Sequence, residues 1–143
     1  MLQVPQLAPS TLLIVMPLTV SGELSQHHYR GELYRKGSSV YVRYTELDEE
    51  EREIRTIVKL NAQEIKIMRS GQIESEQCFV LHERKRGLYR TRMGVLPLET
   101  DTRSMDVEFS EGRYSAAWTY SLYIAEEHAG EFALKLTIQE EHV

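Results

Sequence analysis

Residues 67–79 read IMRSGQIESEQCF, a Ser-Gly pair set between two runs in which apolar residues recur at every second position. A period of two marks a strand with one buried face, and Ser-Gly supplies the backbone freedom of a tight turn. In the incoming run Ile65, Ile67 and Arg69 share one face, and Glu64, Lys66 and Met68 share the other. In the outgoing run Ile73, Ser75, Gln77 and Phe79 share one face, and Glu74, Glu76, Cys78 and Val80 the other. The apolar members mark the inner face, so Arg69, Ser75 and Gln77 are expected to point inward. A mixed apolar and polar lining is what a barrel holding a ligand or ordered water presents. Two readings of Arg69 stay open. At a strand end its head can snorkel to the rim over apolar surface, the commoner fate of an arginine. If it points inward, it needs a counter-charge or a ligand anion, because an unpaired buried ion is costly.

The same alternation extends along the chain. SVYVRYT places Val40, Val42 and Tyr44 on one face, and EFALKLTIQ does so with Phe132, Leu134, Leu136 and Ile138. MDVEFSE places Met105, Val107 and Phe109 inside, and YSAAWTYSLYI places Tyr114, Ala116, Trp118, Tyr120, Leu122 and Ile124 inside. Turn-like breaks separate the runs at 21–23, 36–39, 60–63, 69–72, 92–95, 110–113 and 126–130. Closely spaced alternating runs predict an all-β chain: a single antiparallel, mostly up-and-down β-barrel of about eight to ten strands. The segment LDEEEREIRTIVKLNAQEIKI, 47–67, is the ambiguous one. Its acidic start suits a helix N-terminus. The alternation of Ile54, Thr56, Val58 and Leu60, with many β-branched residues, predicts instead a strand over 53–60 after a solvated hairpin tip.

With 143 residues the chain fits one domain. Residues 1–10, with Pro5 and Pro9, read as an extended lead-in, and 11–143 as the barrel. The apolar run TLLIVMPLTV, 11–20, is too short to span a bilayer as a helix and has no basic residue before it, so a first strand is expected rather than a signal segment. Pro17 would then sit at an edge or bulge where no ladder donor is needed, and an edge there would let two chains pair. The single Cys78 excludes an internal disulfide and fits a reducing cytoplasm. The net charge of −5 argues against a general nucleic-acid binder.

Few motifs carry chemistry. RKRGLYRTRMG, 84–94, gathers Arg84, Lys85, Arg86, Arg90 and Arg92 around Tyr89. It is a candidate patch for an anion, a protein or RNA, with Tyr89 as a stacking surface, or else a solvated hairpin loop. His27 and His28 are neighbours on a strand and diverge, and no zinc spacing completes a metal site. Glu99 and Asp101 share a face, but Leu96 and Leu98 mark the other one as inner. No nucleophile elbow, P-loop, dinucleotide fingerprint or HExxH is present, and Cys78 reads as a small strand hydrophobe. No cofactor and no enzyme activity are therefore expected.

IVKL…EIKIMRSG, LYRTRMGVLPLETDT and GEFALKLTI together resemble the YwiB-like family, a bacterial family of unassigned function, over roughly residues 11–140. Gly71 and Gly94 fall at the matching turns. The family's second motif more usually reads Y-x-T-P-x-G-x-L, and Arg92 stands here in place of that proline. The resemblance implies a calycin-like, lipocalin-like closed barrel and no established reaction. Barrels of that kind often take small apolar or amphipathic ligands in their mouths, an analogy from fold alone. The expected function is binding of a small amphipathic or anionic ligand, with Arg69, Ser75, Gln77, Tyr114, Trp118 and Tyr120 lining the pocket. The alternative is a protein- or RNA-interaction module using residues 84–92.

Overall fold

The computed structural model describes residues 6–7, 12–20, 23–48, 50–71 and 73–140, and every regular element among them is a β-strand. In chain order these are β1 (Gln6–Leu7), β2 (Leu12–Val20), β3 (Glu23–Lys36), β4 (Ser39–Leu47), β5 (Glu53–Leu60) and β6 (Ile65–Gly71). They continue as β7 (Glu74–Phe79), β8 (Arg84–Thr91), β9 (Gly94–Ser110), β10 (Arg113–Ile124) and β11 (Glu127–Glu140). All pairings are antiparallel, and from β3 through β10 each strand's successor is its neighbour in the sheet. β3 closes the ring by splitting its length. Residues from Glu23 to Gly31 pair with β2, which pairs with β11, and residues from Gly31 to Lys36 pair with β4. The predicted antiparallel, largely up-and-down β-barrel is the fold. β1 adds to the sheet from within the expected lead-in, pairing Gln6 and Leu7 with Arg35 and Tyr34.

The segment 47–60 is a strand over Glu53–Leu60, after a turn whose tip is fastened by Asp48. The Asp48 carboxylate accepts from the backbone N–H groups of Glu50 and Arg52 and from Arg52 Nε, all near 3 Å. β2 lies between β3 and β11, so the edge expected near Pro17 is covered. The β2–β11 register is unchanged from Leu134↔Leu18 to Thr137↔Val15, and the ladder opens only across the two positions between, one of them Pro17. A ring nitrogen without hydrogen accounts for the opening.

Strand parity accounts for the core. Val40, Val42 and Tyr44 of β4, Ile54, Thr56, Val58 and Leu60 of β5, and Ile65 and Ile67 of β6 are buried on one face. Leu33, Phe79, Leu98, Tyr114, Ala116, Trp118, Tyr120, Leu136 and Ile138 join them, and Phe79 packs against Tyr120 and Trp118 with ring centroids 4.6 and 5.5 Å apart. The inner residues of β9 change parity, from Leu98, Thr100 and Thr102 to Met105 and Val107. The register against β10 moves by one between Thr102 and Ser104, making Arg103 the extra residue of a β-bulge. Past Glu76, β7 leaves the β8 ladder, and its Cys78 carbonyl accepts from the Thr100 hydroxyl of β9 at 2.6 Å. A Cβ built on Gly87 would lie 2.1 Å from the Glu76 carbonyl oxygen, so only glycine lets β8 pass so close beneath β7.

Candidate functional site

β6 runs through Ser70 to Gly71, so the hairpin expected on Ser70-Gly71 turns beyond it. Gly71 has φ of +123° and pairs with Ile54, and a side chain there would meet the Glu53 carbonyl at 2.7 Å. The parity of the flanking strands is as predicted. Arg69 pairs with Ser75, and Ile67 with Gln77.

These residues open onto a cavity of about 480 Å³ at one end of the barrel. Its walls come from the ends of strands meeting at the β4–β5, β6–β7, β8–β9 and β10–β11 hairpins. Leu47, Ile54, Ile73, Leu96, Leu98, Leu122 and Ile124 make the apolar part, with Tyr89 and Tyr29. Glu46, Arg69, Ser75 and Gln77 supply the polar part. Away from this end, among the described residues, the core side chains pack against one another across the interior.

The inward Arg69 finds its counter-charge in the protein. Its Nε donates to Glu46 Oε2 at 3.0 Å, and Thr56 Oγ1 donates to the same oxygen at 2.5 Å. Tyr29 adds a hydrogen bond to Glu46 and stacks on Tyr44 at 4.8 Å. The pair is largely enclosed, with side-chain exposures of 25% for Arg69 and 17% for Glu46. Burial works against the Arg69 charge, yet the Glu46 carboxylate outweighs it and holds the guanidinium above its ordinary range. Behind the pair, burial raises the Tyr44 hydroxyl, reinforced by Glu46 and opposed by Arg69. Burial also pushes Tyr120 up to about 12, while Arg69 and a hydrogen bond with Gln77 pull the other way.

Of the residues expected to line the pocket, Arg69, Ser75 and Gln77 do so. Tyr114, Trp118 and Tyr120 do not: they are at most 6% exposed, inside the core. Tyr114 accepts from Arg35, and Tyr120 backs the polar wall through Gln77. The reason is position along β10. All three lie on the inner face, as the alternation requires, but only the far end of that face, Leu122 and Ile124, reaches the cavity.

The basic segment is not a loop. Residues 84–91 are β8, and parity divides it. Arg84, Arg86 and Arg90 face outward, whereas Tyr89 lines the cavity and Lys85 is half-buried. Tyr89 is therefore no stacking surface within the arginine patch. Arg84 pairs with Glu99 and lies 3.8 Å over the Tyr123 ring, Arg90 Nε is 3.3 Å from Glu74, and Lys85 Nζ is 3.6 Å from Glu83. Arg92 is exposed in the turn that follows. That turn is clamped without the proline: Thr91 Oγ1 accepts from Met93 N and donates to the Gly94 carbonyl, both at 3.1 Å.

Glu46, Tyr29, Tyr89 and Ile54 belong to the site without having been singled out for it. Glu46 was legible: it continues the inner face of Val40, Val42 and Tyr44 by one step. Cys78 is half-buried, with its sulfur 3.6 Å from Glu64 Oε2, and burial together with that carboxylate raises the thiol above its usual range. Among the described residues no three His, Cys, Asp or Glu side chains converge as a metal site would need.

The fold and the half-hollow interior define a small antiparallel β-barrel protein, and residues 19–136 match the domain of unknown function DUF1934. The chain belongs to that family. It is 32% identical over 107 residues to the uncharacterized beta-barrel protein YwiB of Bacillus subtilis (strain 168), covering 73% of each chain. The crystal structure of the Bacillus subtilis ywiB protein superposes with a TM-score of 0.75 at 25% identity, over 95% of this chain and 94% of that one.

Proposed function

We propose that this protein is a non-enzymatic binding protein that holds a small amphipathic ligand in the open end of its barrel. The observation that carries this reading is the cavity of about 480 Å³, apolar on most of its wall with Arg69, Glu46, Ser75 and Gln77 gathered at one side. Ligand pockets commonly measure about 300–1,000 Å³ and combine apolar walls with a few convergent polar groups. The apolar body would rest on Ile54, Ile73, Leu98, Leu122 and Ile124, with its head at the polar side. The interaction-module reading has less support, since Arg84 and Arg90 already meet carboxylates. A cytoplasmic location fits the single cysteine.

The test is binding of Nile red, an uncharged dye that brightens in apolar surroundings. The native protein should bind it saturably, and Leu96→Trp, which fills the mouth from a strand position 40% exposed, should abolish the signal. Absence of saturable binding to the native protein would reject the reading. Equal binding by Leu96→Trp would place the dye elsewhere and reject it too.

A further inference from the structure

The head of the ligand can be specified by the charges around it. Arg69 and Glu46 are the only charged side chains among the described residues that line the cavity, and they are opposite in sign. They touch, Arg69 Nε to Glu46 Oε2 at 3.0 Å, so the polar wall is neutral as a whole. A carboxylate or phosphate brought to Arg69 would come equally close to Glu46. Its attraction to one and repulsion by the other largely cancel, while its hydration is lost. A cation meets the mirror-image difficulty at Arg69. An uncharged head that both donates and accepts hydrogen bonds escapes both. It can donate to the Glu46 carboxylate and accept from the Arg69 guanidinium or the Gln77 amide, and the Ser75 hydroxyl does either.

We infer that the barrel selects amphiphiles with an uncharged hydroxyl-bearing or amide head, and that Glu46 is the residue that sets this selectivity against anions. The inference rests on the ligand-binding reading above.

Three amphiphiles sharing one alkyl chain length test it: monolaurin, laurate and dodecylammonium, each displacing bound Nile red. Monolaurin should bind about tenfold or more tightly than either ion, roughly the effect of one unbalanced charge contact. Glu46→Gln leaves Arg69 uncompensated, so laurate should gain about tenfold and overtake dodecylammonium. Arg69→Met bares Glu46 and should move dodecylammonium up instead, which keeps the test decisive should one variant fail to fold by circular dichroism. Tightest binding of laurate to the native protein, or an order unchanged in both folded variants, would overturn the inference and leave the ligand reading standing. Failure of the native protein to bind the dye itself would instead bring down the ligand reading.

Discussion

Glu46 Oε2 joins three strands at one atom. It sits on β4, takes a hydroxyl from Thr56 of β5 and a guanidinium N–H from Arg69 of β6. Removing either charged partner leaves the other facing a low-dielectric cavity. A double-mutant cycle of Arg69→Met and Glu46→Gln, read by urea unfolding, should give a coupling of about 1–3 kcal/mol. A value near zero would mean that solvent screens the pair as it screens exposed ones. The Tyr120 hydroxyl, raised from its ordinary 10.0 to about 12 chiefly by burial, ties stability to alkaline pH. Its folded pKa lies above its unfolded one, so its stabilising contribution is complete below about pH 10. That contribution, about 2–3 kcal/mol, is lost as the pH rises through 12. Tyr120→Phe should therefore unfold at higher pH than the native protein in an alkaline titration, and identical midpoints would contradict the burial argument. At this scale the sequence was partly legible. Parity gave Arg69 its direction, but its partner lies two strands away, and the acidic run from Glu46 to Glu51 reads as one solvated tip. Only continuing the parity of Val40, Val42 and Tyr44 separates Glu46 from it.

Strands differ in how plainly they declare themselves. β4, β5, β6 and β10 carry a largely apolar inner face, interrupted by Glu46, Thr56 and Arg69, and most of their buried residues follow from period two. β8 carries arginines on its outward face and no long apolar run on the other, so its composition reads as a loop. Its strand character comes from pairing with β9 over the whole of Arg84–Thr91. β9 hid in another way. The inner sets Leu96–Leu98 and Met105–Val107 differ in parity, which one 17-residue strand accommodates only with the bulge at Arg103. The crossing of β7 over β8 supplies a sharp prediction. Gly87→Ala would drive a methyl into the Glu76 carbonyl, where backbone and not a flexible side chain must yield. A loss of at least about 2–3 kcal/mol in urea unfolding is expected. Unchanged stability would mean that the β7–β8 crossing opens without cost.

As a whole the molecule is a ring of ten paired strands, β2 to β11, with β1 laid beside β3. One end is packed with aromatic and aliphatic side chains and the other is hollow. The alternation that revealed the ring does not reveal the hollow, because filled and open barrels share the same inward pattern. What decides it is where the large side chains stand along each strand. Phe79, Trp118 and Tyr120 pack together in one region, and the side chains at the other end stand around the cavity instead of filling it. The mouth carries exposed apolar residues, Leu47 at 63% and Leu96 at 40%, within the apolar cavity wall. A ligand entering there would bury apolar area on both itself and the protein. The most direct test is calorimetric titration of monolaurin into the native protein and into Leu96→Trp at several temperatures. The account predicts saturable binding with a negative heat-capacity change for the native protein, and no binding heat for Leu96→Trp. No binding to the native protein, or the same binding by both, would contradict it.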